Sequence, residues 1–204
     1  MIKRRGTLFV VSAPSGAGKT TLCREIRLRL QDLAYSVSIT TRPPRPGEID
    51  GTDFRFVSRS QFQEMLDRGE MAEWATVHAN LYGTPAAPLE AALKAGRDVL
   101  LDIDTQGAAQ LRARYPDAVL VFVVAPSLGE LEQRLRERRS DSDREIARRL
   151  ERAREEITLW RRYDYLIVNR DVKEAMDQLE SIIHAERCRV ARLALTFPDL
   201  EVPN

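Results

Sequence analysis

An apolar run that ends in a glycine-rich loop with a lysine constrains this chain more than any other feature. Residues 8–12 read LFVVS and are followed by APSGAGKT at 13–20. The loop matches the phosphate-binding pattern G-x-x-x-x-G-K-[ST] except at its first position, where Ala13 replaces glycine. Gly16 and Gly18 permit backbone angles that turn successive N–H groups towards phosphate oxygens. The sequence therefore predicts a buried strand, a phosphate-binding loop and a helix whose positive N-terminal end faces the same anion.

We expect this loop to bind a nucleoside triphosphate together with Mg²⁺. Lys19 would reach the β- and γ-phosphates, and the Thr20 hydroxyl would ligate the metal. The expected contacts come from the whole loop: Ala13, Pro14, Ser15, Gly16, Ala17, Gly18, Lys19 and Thr20. A Gly/Ser turn before an ordinary helix is the competing interpretation, and the apolar strand that precedes the loop argues against it. The loop alone does not separate ATPases, GTPases and kinases.

The composition indicates one globular domain without a polynucleotide or membrane partner. Of the 204 residues, 43% are hydrophobic and 31% charged, and the formal net charge is +1, so bulk electrostatics gives no reason to expect nucleic acid. No apolar run approaches the ~20 residues of a membrane span. Cys23 and Cys188 fit neither a metal site nor a disulfide framework, so we expect a cytoplasmic protein without a leader.

Short apolar runs alternate with helical patterns along most of the chain. Strands are predicted at 7–12, 36–39, 54–57, 98–103, 118–124 and 165–168, with weak antiparallel strands within 71–83. Capping boxes at Ser60 and at Ser142 with Glu145 predict helix starts, and a long helix is predicted from Asp171. Strands that alternate with helices predict an α/β fold with a parallel sheet flanked by helices. The irregular region 36–83 interrupts this pattern as a small inserted mixed subdomain.

Two further segments are candidates for chemistry. Asp102 and Asp104 end a buried strand, and Asp102 is the expected Walker B ligand of Mg²⁺ or its waters. In isolation a solvated strand end explains these acids equally well, and the neighbouring loop favours the metal. Arg42 and Arg45, stiffened by three prolines, could clamp a phosphate bidentately, although an exposed proline-rich loop is the simpler interpretation of composition alone.

Taken together, these motifs resemble those of guanylate kinases. The segment S-x-T-T-R-x-x-R-x-G-E at 38–48, followed by Gly51, is similar to that family's nucleotide-monophosphate loop. Further similar segments are EWA at 73–75, N-x-Y-G-T at 80–84, LDID-x-QG at 101–107 and IVN at 167–169. The resemblance implies a P-loop kinase that uses Mg²⁺ to transfer a phosphoryl group from ATP to GMP or dGMP, by direct in-line transfer, in purine nucleotide metabolism.

The resemblance also implies a role for each residue that contacts the acceptor nucleotide. Ser38, Glu73 and Asp104 would lie at the guanine, where a carboxylate can accept from N1–H and N2–H₂, two donors that adenine lacks. The phosphate of GMP would be held by Arg42, Arg45 and Tyr82, with Gly83 and Thr84 lining the same pocket. Glu73 would thus select against AMP. An exposed strand carboxylate is the alternative interpretation for Glu73, and a core aromatic for Tyr82.

On the donor side, the resemblance implies a lid and an adenine contact. Arg134, Arg138 and Arg149 match lid arginines that approach the transferring phosphoryl group. They would join Lys19 and Arg42 as catalytic residues. The alternative interpretation is that these lid arginines form ion pairs along their helices or are simply solvated. Asn169 would lie near the adenine of ATP. The implied division is a core (1–35, 84–126 and 163–204), a GMP-binding subdomain (36–83) and a lid (127–162).

Besides Ala13, the chain departs from the family pattern at three positions on or near these motifs. Phe54 stands where a tyrosine is usual, Leu81 where an aromatic is common, and Arg170 where an aspartate usually follows the asparagine. Because the missing hydroxyl of Phe54 would normally touch the acceptor phosphate, we expect somewhat weaker GMP binding.

Two rival functions stay open in the sequence. One is a kinase of another monophosphate on the same fold, against which Glu73 argues. The other is a peptide-binding module that has lost catalysis, against which the intact loop argues. The sequence does not distinguish a monomer from a homo-oligomer.

Overall fold

The computed structural model describes residues 2–77, 79–137 and 142–195. The strands are β1 (Ile2–Arg4), β2 (Leu8–Ser12), β3 (Ala34–Tyr35), β4 (Ile39–Thr40), β5 (Arg55–Phe56), β6 (Met71–Val77), β7 (Asn80–Pro85), β8 (Val99–Asp102), β9 (Val119–Val124), β10 (Tyr165–Val168) and β11 (Leu193–Leu195). The helices are α1 (Lys19–Arg29), α2 (Arg59–Asp67), α3 (Ala86–Lys94), α4 (Thr105–Arg114), α5 (Leu128–Glu137), α6 (Asp143–Thr158) and α7 (Val172–Arg187).

The central layer is a sheet of five parallel strands in the order β10-β9-β2-β8-β3. Alternate residues of β2 face opposite sides of this sheet. Phe9 and Val11 belong to a core that includes apolar residues of α1 and α7, whereas Leu8 and Val10 belong to a core that includes residues of α3 and α4. A strand that is covered on both faces is apolar throughout, which explains the uninterrupted runs in the sequence. The predicted α/β fold with a parallel sheet flanked by helices is confirmed.

A second sheet is formed within residues 39–85, where the sequence predicts an insertion. Its strand order is β5-β4-β7-β6, and it is antiparallel except for the β4–β5 pair. Phe62 and Met65 of α2 pack with Ile39 and Met71 to give it a small core of its own. Ala72, near the start of β6, belongs instead to the core that includes residues of β2, α3 and α4, and so joins the second sheet to the main one.

Three features differ from the sequence predictions. The strand expected at 36–39 is two strands, because Ala34–Tyr35 joins the edge of the main sheet while Ile39–Thr40 joins the second sheet. The capping box of α2 begins at Ser58 rather than Ser60: Ser58 Oγ accepts from Gln61 N–H, and the Gln61 side chain accepts from Ser58 N–H. The antiparallel pair β1–β11 was not predicted.

The helices of the predicted lid begin and end close to the expected positions. Ser142 and Glu145 form the predicted capping box at the start of α6. Ile146 and Ala153 of this helix are buried, while Trp160, just after its end, is 38% exposed. In residues 2–77, 79–137 and 142–195, no helix combines the length and apolar character that crossing a bilayer requires.

A buried ion cluster lies at the end of the main sheet opposite to the phosphate-binding loop. Asp98, just before β8, is 1% exposed and accepts hydrogen bonds from Arg4, from Arg187 Nε at 2.7 Å and from the backbone N–H of Thr7 at 2.8 Å. Burial alone would raise the pKa of Asp98, but these donors outweigh burial and hold the pKa below its ordinary value. The cluster ties the N-terminal strand and the last long helix to the sheet.

Candidate active site

The candidate site lies at the carboxyl ends of the parallel strands, where open α/β sheets bind their ligands. The loop at 13–18 follows β2, Asp104 follows β8 and Asn169 follows β10. Strand pairing brings these three ends together, because β2 is hydrogen-bonded to β8 on one side and to β9, the neighbour of β10, on the other. The topology therefore assembles one site from distant parts of the sequence.

The glycines of the phosphate-binding loop are required by backbone angle and by space. Gly16 and Gly18 have φ of +94° and +93°. A Cβ at Gly18 would lie 2.3 Å from the side-chain nitrogen of Asn169, and one at Gly16 would lie 3.1 Å from Leu135. Ala13 does not take a positive φ, so the alanine at the first position of the motif is tolerated without strain.

Lys19 binds the end of β8. Its Nζ lies 2.5 Å from Asp102 Oδ1 and donates to the carbonyl of Ile103 at 2.9 Å. Burial would lower the pKa of Lys19, but the contact with Asp102 outweighs burial and raises the pKa above its ordinary value, so the ammonium is charged at neutral pH. Thr20 follows at the start of α1 and lines the same cavity as Asp102. A hydroxyl and a carboxylate beside a phosphate-binding lysine fit Mg²⁺, which takes few protein oxygens and completes its shell with phosphates and water.

Two cavities meet at this lysine. The first, of about 280 Å³, lies over the phosphate-binding loop and is lined on its other side by residues of α6. The second, of about 530 Å³, extends from the loop to the second sheet. Residues common to both linings are Ser15, Lys19, Thr20, Val77, Asp104 and Arg149. We call the first cavity the donor cavity, since it is built on the triphosphate motif, and the second the acceptor cavity.

A buried carboxylate forms one end of the acceptor cavity. Glu73 of β6 is 4% exposed, and its Oε1 accepts from the Thr84 hydroxyl at 2.6 Å. Its other oxygen lies so close to Gly107 that a Cβ there would come within 2.3 Å. Burial, with a smaller contribution from the negative charge of Asp104, raises the pKa of Glu73 to about 7 against the favourable Thr84 hydrogen bond. The carboxylate is thus desolvated and poised to gain from further donors.

The predicted guanine and pocket residues gather around this end. Ser38 is buried and lines the acceptor cavity together with Gly83. Thr84 is fully buried behind Glu73. Asp104 lines the cavity and caps α4 by accepting from Gly107 N–H at 2.8 Å.

Arginines and aromatic rings form the other part of the acceptor cavity. Arg42 Nε donates to the Tyr82 hydroxyl at 3.2 Å, and Arg45 lines the cavity beside it. Phe54 lies against the edge of the Tyr82 ring, with centroids 6.0 Å apart, and its ring is 5.4 Å from Arg42 Cζ. The residue at position 54 therefore lines the predicted phosphate site, but it contributes an aromatic face instead of a hydroxyl.

The predicted lid and adenine residues differ in whether they line the two cavities. Arg149 lines both cavities. Arg134 lines neither, and its Nη2 donates to the backbone carbonyl of Asn169 at 2.9 Å. Asn169 is 2% exposed and donates to the Ala17 carbonyl at 2.8 Å, while its Oδ1 accepts no hydrogen bond from the residues described. Arg138 lies outside the described residues.

Comparison with known proteins agrees with this geometry. The sequence profile of the guanylate kinase family matches residues 5–186 of the 204. A guanylate kinase from Syntrophotalea carbinolica is 54% identical over 192 residues, which span 94% of this chain and 91% of that protein. The chain belongs to the guanylate kinase family. A guanylate kinase from Geobacter sulfurreducens is 53% identical over 94% of this chain and 95% of its own length.

The structural comparison gives the same family. The crystal structure of the guanylate kinase from Anaplasma phagocytophilum superposes with a TM-score of 0.80 at 36% identity, covering 95% of this chain and 92% of that one. The predictions that the chain is a member of the guanylate kinase family, a P-loop kinase fold and an enzyme are confirmed.

Several arginines of the site were missed in the sequence. Arg148 and Arg152 of α6 line the donor cavity, and Arg152 is paired with Glu156 at 3.1 Å. Arg27 lines the acceptor cavity with its guanidinium 3.7 Å from the Tyr35 ring centroid. Arg27 follows Lys19 by eight residues, so the four-residue spacing on α1 was a signal that could have found it.

Proposed function

We propose that this guanylate kinase family member transfers the γ-phosphoryl group of ATP to the phosphate of GMP or dGMP, with ADP and GDP or dGDP as products. The observation that carries the proposal is the junction of two cavities at Lys19, one built on a triphosphate-binding loop and one ending in a buried carboxylate. A site for two nucleotides with a shared cation between them suits direct transfer better than hydrolysis, which needs only the first cavity.

The acceptor cavity supports guanine as the base that is bound. Ionised Glu73 can accept from both N1–H and N2–H₂ of guanine, and Ser38 can donate to its O6. Adenine offers neither of the donors that Glu73 needs, and a desolvated carboxylate without donors is costly. At the other end, Arg42, Arg45 and Tyr82 supply cationic and hydroxyl donors for a phosphate dianion.

The reaction requires positioning and charge rather than a general base. The attacking atom is a phosphate oxygen of GMP, which carries no proton that must be removed. The new P–O bond forms as the bond from the γ-phosphorus to its bridging oxygen breaks in line, and ADP leaves with the electron pair. Lys19 neutralises the β- and γ-phosphate oxygens. Arg149, which lines both cavities, completes the charge around the transferring group, and the lid excludes water as a competing acceptor. The proposed lid role of Arg134 and Arg138 rests on the family resemblance.

Thr20 and Asp102 are the residues that would hold Mg²⁺. When bound, Mg²⁺ supplies positive charge to the β- and γ-phosphate oxygens. The loop residues Ala13, Pro14, Ser15, Gly16, Ala17 and Gly18 would hold ATP chiefly through backbone N–H groups, with Asn169 behind them.

We further propose the core, GMP-binding subdomain and lid division at 36–83 and 127–162, in agreement with the separate second sheet. A cytoplasmic location, within purine nucleotide metabolism, follows for an enzyme of these substrates whose cysteines are free.

The test is ADP release with ATP and GMP, comparing the protein with Lys19→Ala and Arg42→Ala. Each variant removes one cation from one cavity, so each should lower kcat/KM by about a hundredfold or more while the thermal unfolding midpoint changes little. A near-normal rate in either variant would contradict the proposal. Chelation of Mg²⁺ should abolish turnover in all three proteins.

A further inference from the structure

Glu48 is a carboxylate of the acceptor cavity to which neither the family resemblance nor the proposed reaction assigns a role. It lines the cavity beside Arg42 and Arg45. Its Oε1 accepts from Arg42 Nη2 at 2.8 Å and its Oε2 from Arg42 Nη1 at 2.9 Å, and Oε2 also accepts from the backbone N–H of Arg45 at 2.7 Å. The hydrogen bonds from Arg42 hold the pKa of Glu48 below its ordinary value, so it is ionised at neutral pH. The carboxylate of Glu48 thus binds the guanidinium of Arg42 and the backbone of Arg45.

The contacts of Arg42 define which edge of its guanidinium faces a ligand. A guanidinium has five N–H donors. Nε donates to the Tyr82 hydroxyl at 3.2 Å, Nη1 donates to Glu48 and to the Pro43 carbonyl at 2.7 Å, and Nη2 donates to Glu48. Four donors are therefore used within the described part of the chain. The fifth is on Nη2, on the edge that this nitrogen shares with Nε, and so it lies beside the Tyr82 hydroxyl.

Aromatic rings support Arg42 without fixing its direction. The ring centroids of Phe54 and Phe56 lie 5.4 Å and 5.7 Å from Arg42 Cζ. A cation over a ring face is attracted by the ring quadrupole, but this attraction changes little when the guanidinium turns within its own plane. The bidentate pair with Glu48 does fix that rotation, because both Nη atoms must meet both carboxylate oxygens.

We propose that Glu48 is the positioning residue for the acceptor phosphate. By occupying the edge between the two Nη atoms of Arg42, Glu48 turns the Nε/Nη2 edge towards the phosphate, which binds between this edge and Tyr82. The proposal rests on the proposed function, because it takes the acceptor to be a nucleoside monophosphate. The opposite arrangement, in which Glu48 competes with the phosphate for Arg42, makes a prediction of opposite sign.

The decisive variant is Glu48→Gln, which keeps the size of the side chain and one acceptor oxygen but removes the charge. We expect the KM for GMP to rise about tenfold, the KM for ATP to stay within twofold, and kcat to change less than the KM for GMP. Asp50→Asn is the matched control. Asp50 also accepts a hydrogen bond from a backbone N–H of this segment, that of Phe56 at 2.9 Å, but it pairs with no arginine among the residues described. The KM for GMP of the Asp50→Asn protein should therefore stay within twofold of the unaltered value.

The Glu48→Gln substitution in an Arg42→Lys protein separates a role of Glu48 in positioning Arg42 from a role in folding the loop. If Glu48 acts through Arg42, then Glu48→Gln in an Arg42→Lys protein should change the KM for GMP by less than twofold, because lysine has no edge to orient. Glu48→Asp, which keeps the charge but has a shorter reach, should give an intermediate KM and replaces Glu48→Gln if that variant fails to fold.

Three results would overturn the inference: an unchanged KM for GMP in Glu48→Gln, a KM that falls, or a full tenfold rise in the Arg42→Lys background. These outcomes are distinct from a failure of the proposed function, in which the unaltered protein would not phosphorylate GMP at all.

Discussion

Replacing Glu73 by glutamine tests whether a desolvated carboxylate forms the base end of the acceptor cavity. In the unfolded chain a glutamate titrates near 4.5, whereas burial raises the pKa of Glu73 to about 7 in the folded protein. Between these values the folded state holds a proton that the unfolded state has lost, so the free energy of unfolding falls as the pH rises. The interval, at about 1.4 kcal/mol per pH unit, corresponds to about 3 kcal/mol.

The assay is urea unfolding of the protein and of Glu73→Gln at pH 5, 6, 7 and 8 without nucleotide. The variant cannot ionise, and its amide oxygen can still accept from Thr84. Relative to the variant, the protein should therefore lose about 2.5 kcal/mol of unfolding free energy between pH 5 and pH 8, because the rest of the effect lies below pH 5. Glu64→Gln makes the same chemical change at an exposed position of α2 and should show a flat difference. A difference between the protein and Glu73→Gln that varies by less than about 0.5 kcal/mol, a fifth of the expected change, would refute the reasoning.

Binding of GMP should depend on pH in the opposite direction. Guanine N1–H and N2–H₂ stabilise the ionised carboxylate, so GMP must release the proton that Glu73 carries below pH 7. GMP affinity of the protein, relative to that of Glu73→Gln, should rise roughly fiftyfold between pH 5 and pH 7. The variant corrects for titration of the GMP phosphate itself. Calorimetric titrations at both pH values give this ratio, and a ratio independent of pH would show that Glu73 does not meet the base.

Two further predictions concern the acceptor phosphate and the buried ion cluster. Phe54→Tyr restores a hydroxyl at the phosphate site beside Arg42, so the KM for GMP should fall about fivefold or more in steady-state assays, and an unchanged KM would mean that position 54 does not reach the phosphate. Asp98→Asn leaves Arg4 and Arg187 without their shared carboxylate and should lower the free energy of urea unfolding by about 3 kcal/mol with kcat unchanged; a loss below 1 kcal/mol would contradict a structural role for the cluster.

The main sheet and its loop were predictable because their physical requirements leave a mark on the sequence. Strands covered on both faces have to be apolar, and a loop whose N–H groups surround phosphate has to contain glycine where φ is positive. The position of Asp102 near the loop was predictable from the order of the strands, since the carboxyl ends of neighbouring parallel strands meet. The acceptor residues came from the family resemblance, because an isolated Glu73 in a strand carries no sign of its burial.

Other features could not be predicted for equally physical reasons. A two-residue strand such as Ala34–Tyr35 has no periodicity, and the β1–β11 pair joins the two ends of the described chain through only three residues on each side. The roles of Arg27 and Arg152 were hidden because the sequence has 28 arginines, and solvated arginines share the helical spacing of those that face a cavity. The orientation of Arg42 depends on Glu48, whose two contacts are set by the loop conformation.

The central claim is that the second cavity selects a guanine monophosphate as the phosphoryl acceptor. The most direct measurement is coupled ADP release from ATP and Mg²⁺ with GMP, dGMP, AMP, CMP and UMP as acceptors at equal concentrations. The account predicts rapid turnover with GMP and dGMP and at least a hundredfold lower kcat/KM with AMP, because adenine leaves the buried Glu73 without donors. Turnover of AMP, CMP or UMP at a rate comparable to GMP would contradict it.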